Sequence, residues 1–135
     1  MSKAENRLED LKILVVDDQA ETRTMIRNMM IELGITQIFE SPDGRQALTF
    51  IDAAFDFVDL IICDWNMPEL TGVELLRQIR SADPDMPFLM ITGRGDMDSV
   101  IEAKSCGVSG YVRKPFSPAQ LEAKIRIVAQ KYIWK

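Results

Sequence analysis

Val58-Asp59-Leu60-Ile61-Ile62-Cys63-Asp64 is a mostly apolar run closed by a carboxylate, and Ile13-Leu14-Val15-Val16-Asp17-Asp18 repeats the pattern with a pair of acids. A third run, Gly110-Tyr111-Val112-Arg113, leads to Lys114-Pro115. Short continuous apolar runs of this kind mark strands buried on both faces, as in a parallel sheet. In an open parallel sheet, ligands bind beyond the carboxyl ends of the strands. Asp17, Asp18, Asp64 and Lys114 are therefore expected to converge at one sheet edge. Carboxylates that close repel one another unless a cation or a proton intervenes. The arrangement points to a divalent metal and a phosphoryl group.

Outward from these runs, strand and helix patterns alternate along the chain. Strands are expected over Lys12–Val16, Gln37–Glu40, Val58–Cys63, Pro87–Thr92 and Val108–Val112. Between them, apolar residues recur at helical spacing: Met25, Ile26, Met29, Met30 and Leu33 before a stop at Gly34, then Ala47, Leu48 and Ile51 after an Asp43-Gly44 turn. The Met25, Met29, Met30 cluster reads as core. Thr71-Gly72-Val73-Glu74 fits a capping box before Leu75, Leu76 and Ile79. Asp96 is a plausible N-cap for a helix marked by Met97, Val100 and Ile101, with Met97 by itself read as core or a helix-start staple, and as part of a partner face only if this helix belongs to a switch surface. Ser117-Pro118-Ala119-Gln120 combines an N-cap, a proline at the first helical position and a capping-box partner for a last helix through Leu121, Ile125, Val128 and Tyr132. Five strands alternating with five helices give an α/β fold: a doubly wound five-stranded parallel sheet. Residues 1–10 read as a mobile polar tail and residues 11–135 as one domain. No output domain of its own is expected.

Composition narrows the function. The chain has 135 residues, a net charge of −5 and no histidine. Binding nucleic acid through a basic face is not expected, and histidine chemistry is excluded. No stretch approaches the ~18 apolar residues of a membrane span, so no membrane insertion is expected. Residues 1–7 contain no apolar segment of a secretory signal. Cys63 and Cys106 form no metal-binding spacing and read as small buried residues of a cytoplasmic protein.

Asp17-Asp18, Asp64-Trp65-Asn66-Met67-Pro68, Thr92, Tyr111 and Lys114-Pro115-Phe116, each at a strand end, resemble the receiver domains of two-component response regulators. The Asp-Trp-Asn-Met-Pro run is most similar to stand-alone chemotaxis receivers of the CheY-like type, and the resemblance spans about residues 10–133. Any one of these motifs alone has a plainer reading as a polar turn or loop; their order along a five-fold β/α pattern is what is specific. The resemblance implies that Asp64 accepts a phosphoryl group from a phosphohistidine on a sensor histidine kinase. It implies Mg²⁺ held by Asp18, Asp64 and the backbone carbonyl of Asn66, with Asp17 acting through a metal-bound water. Lys114 and Thr92 would bind phosphoryl oxygens, and Thr92 and Tyr111 would switch the face formed by the fourth helix, fifth strand and fifth helix. A carboxylate is a competent nucleophile for an acyl phosphate, and phosphoryl transfer needs positioning and charge neutralisation more than acid–base chemistry. The Lys114–Pro115 bond is expected to be cis. The implied output partner is a flagellar motor switch, a kinase or a phosphotransfer protein, with the chain itself a monomer.

The sequence departs from the family at Gly93 and Arg94, which follow Thr92 where alanine and, in chemotaxis receivers, often an acid are expected. Arg94 and Asn66 would flank the path of a water attacking the phosphoryl group. Other functions remain to be weighed. A phosphorelay intermediate would use the same chemistry. An aspartyl-phosphate phosphatase of the haloacid dehalogenase type needs an acid two residues after the nucleophile, where this chain has Asn66. A flavodoxin-like electron carrier would want a Ser/Thr/Gly loop after the first strand, where this chain has Asp17-Asp18-Gln19. A binding module that has lost phosphorylation would not need the full set of site residues.

Overall fold

The computed structural model describes residues 7–54 and 56–134. Strands β1 (Lys12–Val16), β2 (Gln37–Ser41), β3 (Leu60–Asp64), β4 (Phe88–Thr92) and β5 (Gly110–Arg113) alternate with helices α1 (Ala20–Glu32), α2 (Gly44–Ala53), α3 (Gly72–Ala82), α4 (Met97–Ser105) and α5 (Pro118–Val128). The strands form one parallel sheet in the order β2-β1-β3-β4-β5. This is the expected doubly wound, flavodoxin-like architecture. The chain direction reverses beside β1, so a crevice opens between the ends of β1 and β3.

Alternation along each strand divides the core between the two faces. Ile13, Val15, Leu60, Ile62, Leu89, Ile91 and Val112 face one way, with Ile26, Met30, Leu121 and Ile125 of α1 and α5 packed on them. Leu14, Val16, Ile61, Cys63, Phe88 and Met90 face the other, under Ala47, Ile51, Leu75, Leu76 and Ala103 of the remaining helices. Both faces are covered, which explains why the central strands read as unbroken apolar runs.

The expected caps are present. Thr71 and Glu74 exchange hydrogen bonds in a capping box, as do Ser117 and Gln120, and Asp96 caps α4 through the Ser99 amide at 3.0 Å. Gly34 takes φ of +92°, which lets the Ile35 amide reach back to the Met30 carbonyl and close α1. The Asp43-Gly44 turn proves to be a cap: the Asp43 carboxylate accepts from the Gln46 amide at 2.8 Å and Gly44 begins α2.

Three expectations from the sequence are corrected. Met97 and Ile101 do not bury: they are 72% and 55% exposed, and the face α4 turns inward carries Ser99 and Ala103 instead. Small residues let the helix lie close to the sheet, and the pattern of large apolar residues pointed to the wrong side. In α1, Met30 is core but Met25 is 41% exposed. Cys63 is buried and Cys106 only partly so. Among the described residues, no helix is long and apolar enough to cross a membrane.

The expected tail over residues 1–10 is also revised where it can be followed. Leu8–Asp10 forms a 3-10 turn, closed by the Leu11 amide on the Leu8 carbonyl at 3.0 Å, and Leu8 and Leu11 are buried in the α1/α5 layer. One leucine in a polar stretch was too weak a signal to read as core. Residues 1–6 lie outside the described residues. Truncating Leu8 to alanine should cost about 2 kcal/mol or more, the usual range for a buried leucine. A denaturant-melt midpoint equal to that of the parent chain would show that the turn contributes nothing.

Candidate functional site

Sheet register brings the separated motifs together. Val16 pairs with Cys63 across β1 and β3, so Asp17 and Asp64, the next residues, leave the crevice side by side. Asp64 pairs with Ile91, which puts Thr92 one residue further along β4. Thr92 pairs with Arg113, and Lys114 follows it. The Lys114 amide donates to the Thr92 carbonyl at 2.7 Å, fastening this end of β5. The Lys114–Pro115 bond is cis, as the resemblance implied.

Oxygen atoms of Asp17, Asp18 and Asp64 all lie within 4.8 Å of one another. Asp17 and Asp64 are buried, at 1% and 6% exposure, while Asp18 faces solvent. Lys114 Nζ stands 3.2 Å from Asp64 Oδ1 in an ion pair. Burial pushes the Asp64 carboxyl above the ordinary carboxylate range; Lys114 opposes this and Asp18 adds to it. Burial raises Asp17 as well, against the Gln19 amide bonded to Oδ1 at 2.8 Å, with Asp64 repelling it. Three acids thus share one ammonium group. Asp17 Oδ2 is buried without a hydrogen-bond donor, and buried Asp64 Oδ1 has the Lys114 ammonium group at 3.2 Å but no hydrogen bond of good geometry. Buried oxygens are rarely left so, because the lost hydration is costly. One carboxylate oxygen without a donor and one met by a single ammonium group, beside a third acid, suit a hard divalent cation such as Mg²⁺, which takes oxygen ligands and keeps several waters. The donor set therefore fits the metal that the resemblance implied.

Thr92 is fully buried, and its hydroxyl accepts from the Arg94 amide at 2.9 Å. A hydroxyl that accepts there still has its own proton to donate. Tyr111 is partly buried, and its hydroxyl donates to the Arg94 carbonyl rather than into the acid cluster. Arg94 therefore touches both residues through its backbone. Its guanidinium reaches back over the site: Nε and one terminal nitrogen donate to Asn66 Oδ1 at 3.3 and 3.2 Å, and the group lies 5.0 Å from the centre of the Trp65 ring. The Asn66 side chain is thus engaged by Arg94 at the mouth of the site.

Two supports were not legible in the sequence. Arg23 of α1 donates to the Asp17 carbonyl at 2.7 Å while pairing with Glu40 of β2 at 3.1 Å, so it pins the chain as it leaves β1. Gly72 begins α3 so close to the end of β3 that an added Cβ would lie 2.5 Å from the Asp64 carbonyl oxygen and 2.9 Å from Trp65 Cα. Both contacts are tertiary. The glycine of the capping box was visible, but nothing local marked its neighbour.

The raised carboxyls carry a stability signature. An acid whose pKa is higher in the folded state costs nothing below its unfolded value; the cost grows as pH rises through the folded value, then stays constant. Removing the charge in Asp64→Asn should therefore raise the melting temperature of metal-free protein at neutral pH. The gain should close as pH falls through the carboxylate range. A variant no more stable than the parent at neutral pH would mean that Lys114 fully offsets burial and repulsion.

Comparison with known proteins agrees with the geometry. The family model of the response regulator receiver domain matches residues 13–126. The chain is 40% identical over 124 residues to the chemotaxis protein CheY of Pseudomonas aeruginosa, covering 90% of this chain and 98% of that one. It is 39% identical over 118 residues to the chemotaxis protein CheY-3 of Vibrio cholerae, covering 86% and 89%. Among solved structures, CheY4 of Vibrio cholerae superposes with a TM-score of 0.80 at 32% identity, over 87% of this chain and 98% of that one. A receiver domain protein from Clostridium thermocellum superposes with a TM-score of 0.83 at 28% identity, over 93% and 99%. The chain belongs to the receiver domains of response regulators, within their CheY-like range.

Proposed function

We propose that the protein works as a stand-alone phosphorylation switch. Asp64 accepts a phosphoryl group from the phosphohistidine of a sensor kinase. An Asp64 oxygen forms the new P–O bond as the P–N bond to imidazole breaks, and the imidazole nitrogen keeps the electron pair. The observation that carries this reading is the buried Asp64 carboxylate, flanked by two acids and one ammonium group, with Asp17 Oδ2 beside it left without a donor. Asp17, Asp18, Asp64 and the Asn66 carbonyl would hold Mg²⁺, which when bound offsets the excess negative charge that otherwise repels a phosphoryl donor. Lys114 supplies an ammonium group to one phosphoryl oxygen, and Thr92 its hydroxyl proton to another.

Output follows from the second set of contacts. Drawing the Thr92 hydroxyl toward Asp64 strains its bond with the Arg94 amide, and Arg94 also carries the Tyr111 hydroxyl. Phosphorylation therefore shifts the population between two settings of Tyr111 and of the α4-β5-α5 face. Exposed Met97 and Ile101 give that face apolar surface for a partner. The names of the relatives favour chemotaxis as the pathway; membership of the receiver family favours a histidine kinase upstream and a motor switch, kinase or phosphotransfer protein downstream. The protein acts in the cytoplasm, as a monomer and as a stoichiometric acceptor rather than an enzyme. Asn66 is not an acid, so turnover of small phosphate esters is not expected.

Incubation with Mg²⁺ and acetyl phosphate, followed by intact mass, tests the chemistry. One phosphate-sized gain is expected, absent in Asp64→Asn; a gain that persists in the variant, or none in the parent, defeats the proposal. Arg94 sets a second test. Its guanidinium holds the Asn66 side chain beside the path of an attacking water, so Arg94→Glu should speed phosphate loss. The effect should stay within about tenfold, about 1.4 kcal/mol, the scale of one or two hydrogen bonds. An unchanged rate would remove Arg94 from control of the lifetime.

A further inference from the structure

At the end of the sheet opposite Asp64, α2 and α3 diverge over a groove of about 540 Å³. Leu48, Ile51, Ile79 and Met86 line it, with Asp52 and Asp83 among the groups at its margin. Its volume lies within the ~300–1,000 Å³ of sites that take a ligand or a few large side chains. An adjoining depression shares Asp83 and Met86 and adds Asp56, Asp59 and Asp85. Helices α2 and α3 both end here, at Ala53 and Ala82, and helix carboxyl ends carry partial negative charge. Among the described residues, no lysine or arginine lines either hollow. Among the described residues, Asp52, Asp56, Asp83 and Asp85 enter no ion pair. Arg80 nearby donates to the carbonyls of Gly107 and Asp83 and to the Ser109 hydroxyl, so it attracts Asp83 and Asp85 without contacting their carboxylates and leaves the margin acidic.

We propose that this groove receives a cationic amphipathic segment of a partner protein, with a large apolar side chain seated between α2 and α3 and lysine or arginine set against the surrounding aspartates. Charge complementarity selects this occupant. An apolar floor alone would accept any hydrophobic segment, but a margin where carboxylates outnumber the described cations penalises acidic ones and steers basic ones in. The chain has a basic apolar stripe of its own on α5 and the turn after it, where Ile127 is 58% exposed between Lys124 and Lys131. Seating that stripe in a neighbour's groove would join two different surfaces, and such contacts propagate into open filaments unless a ring closes. A separate partner is the better fit. This surface is distinct from the α4-β5-α5 face, so a receiver could hold one partner while its other face changes state.

The test uses the full chain labelled with ¹⁵N and a synthetic helical peptide of leucine and lysine, with a leucine/glutamine peptide of the same pattern as control. Amide shifts at Leu48, Ile51, Gln78 and Ile79 are expected with the lysine peptide, weakening as salt is added. Asp52→Lys, which reverses the margin, and Ala82→Phe, which fills the groove at an exposed position, should each weaken binding at least tenfold. The amide spectrum and uptake of acetyl phosphate report that each variant is folded. Shifts confined to α4 and α5, equal binding of the glutamine peptide, or variants that bind as the parent does would overturn the proposal. So would sedimentation showing peptide-free association that both variants abolish, since the groove would then belong to a second copy.

Discussion

The structure depends on one electrostatic conflict. Asp17 and Asp64 are buried at the end of adjacent strands, with Asp18 beside them and only Lys114 to offset three charges. Left alone, such a cluster would protonate or push its strands apart. The parallel sheet prevents separation, because β1, β3 and β4 are central strands paired along both edges and packed under helices on both faces. Stability built in the core thus holds unfavourable charge at the edge, as functional sites commonly require. A site arranged this way favours whatever brings further positive charge to its carboxylates.

Rigidity at the acids contrasts with the design of the loop after β4. Gly93 has open space around a would-be Cβ, while Arg94 gathers contacts to Asn66, Trp65, Thr92 and Tyr111. One residue thereby touches the mouth of the site and both side chains expected to relay its state. In a receiver with an acid at this position, a link to Asn66 would have to run the other way, the asparagine amide donating to the carboxylate. Chains that share the acid cluster can therefore differ in how long a modified state lasts and how it is read.

Much of this was legible in the sequence because strands buried on both faces are written as continuous apolar runs, and their ends mark the functional edge. The five strands and the placement of Asp17, Asp18, Asp64 and Lys114 followed from that alone, once parallel pairing was inferred, whereas Thr92 stood out only through the family resemblance. Caps were legible for the same reason: Thr71/Glu74 and Ser117/Gln120 are local chemistry. What escaped depends on tertiary partners. The inward face of α4 uses Ser99 and Ala103, so its large apolar residues misled. Leu8 and Arg23 act through residues distant in the chain, with no spacing to announce them.

The central claim is that the acid cluster is built for a divalent cation. A ligand that binds only the folded chain raises its melting temperature as concentration increases. The most direct measurement is therefore the thermal midpoint across a Mg²⁺ titration at neutral pH and constant ionic strength, for the parent chain and for Asp18→Asn. The account predicts a saturable rise in the parent that is lost or strongly weakened in the variant. A midpoint indifferent to Mg²⁺, or an equal rise in both proteins, would contradict it.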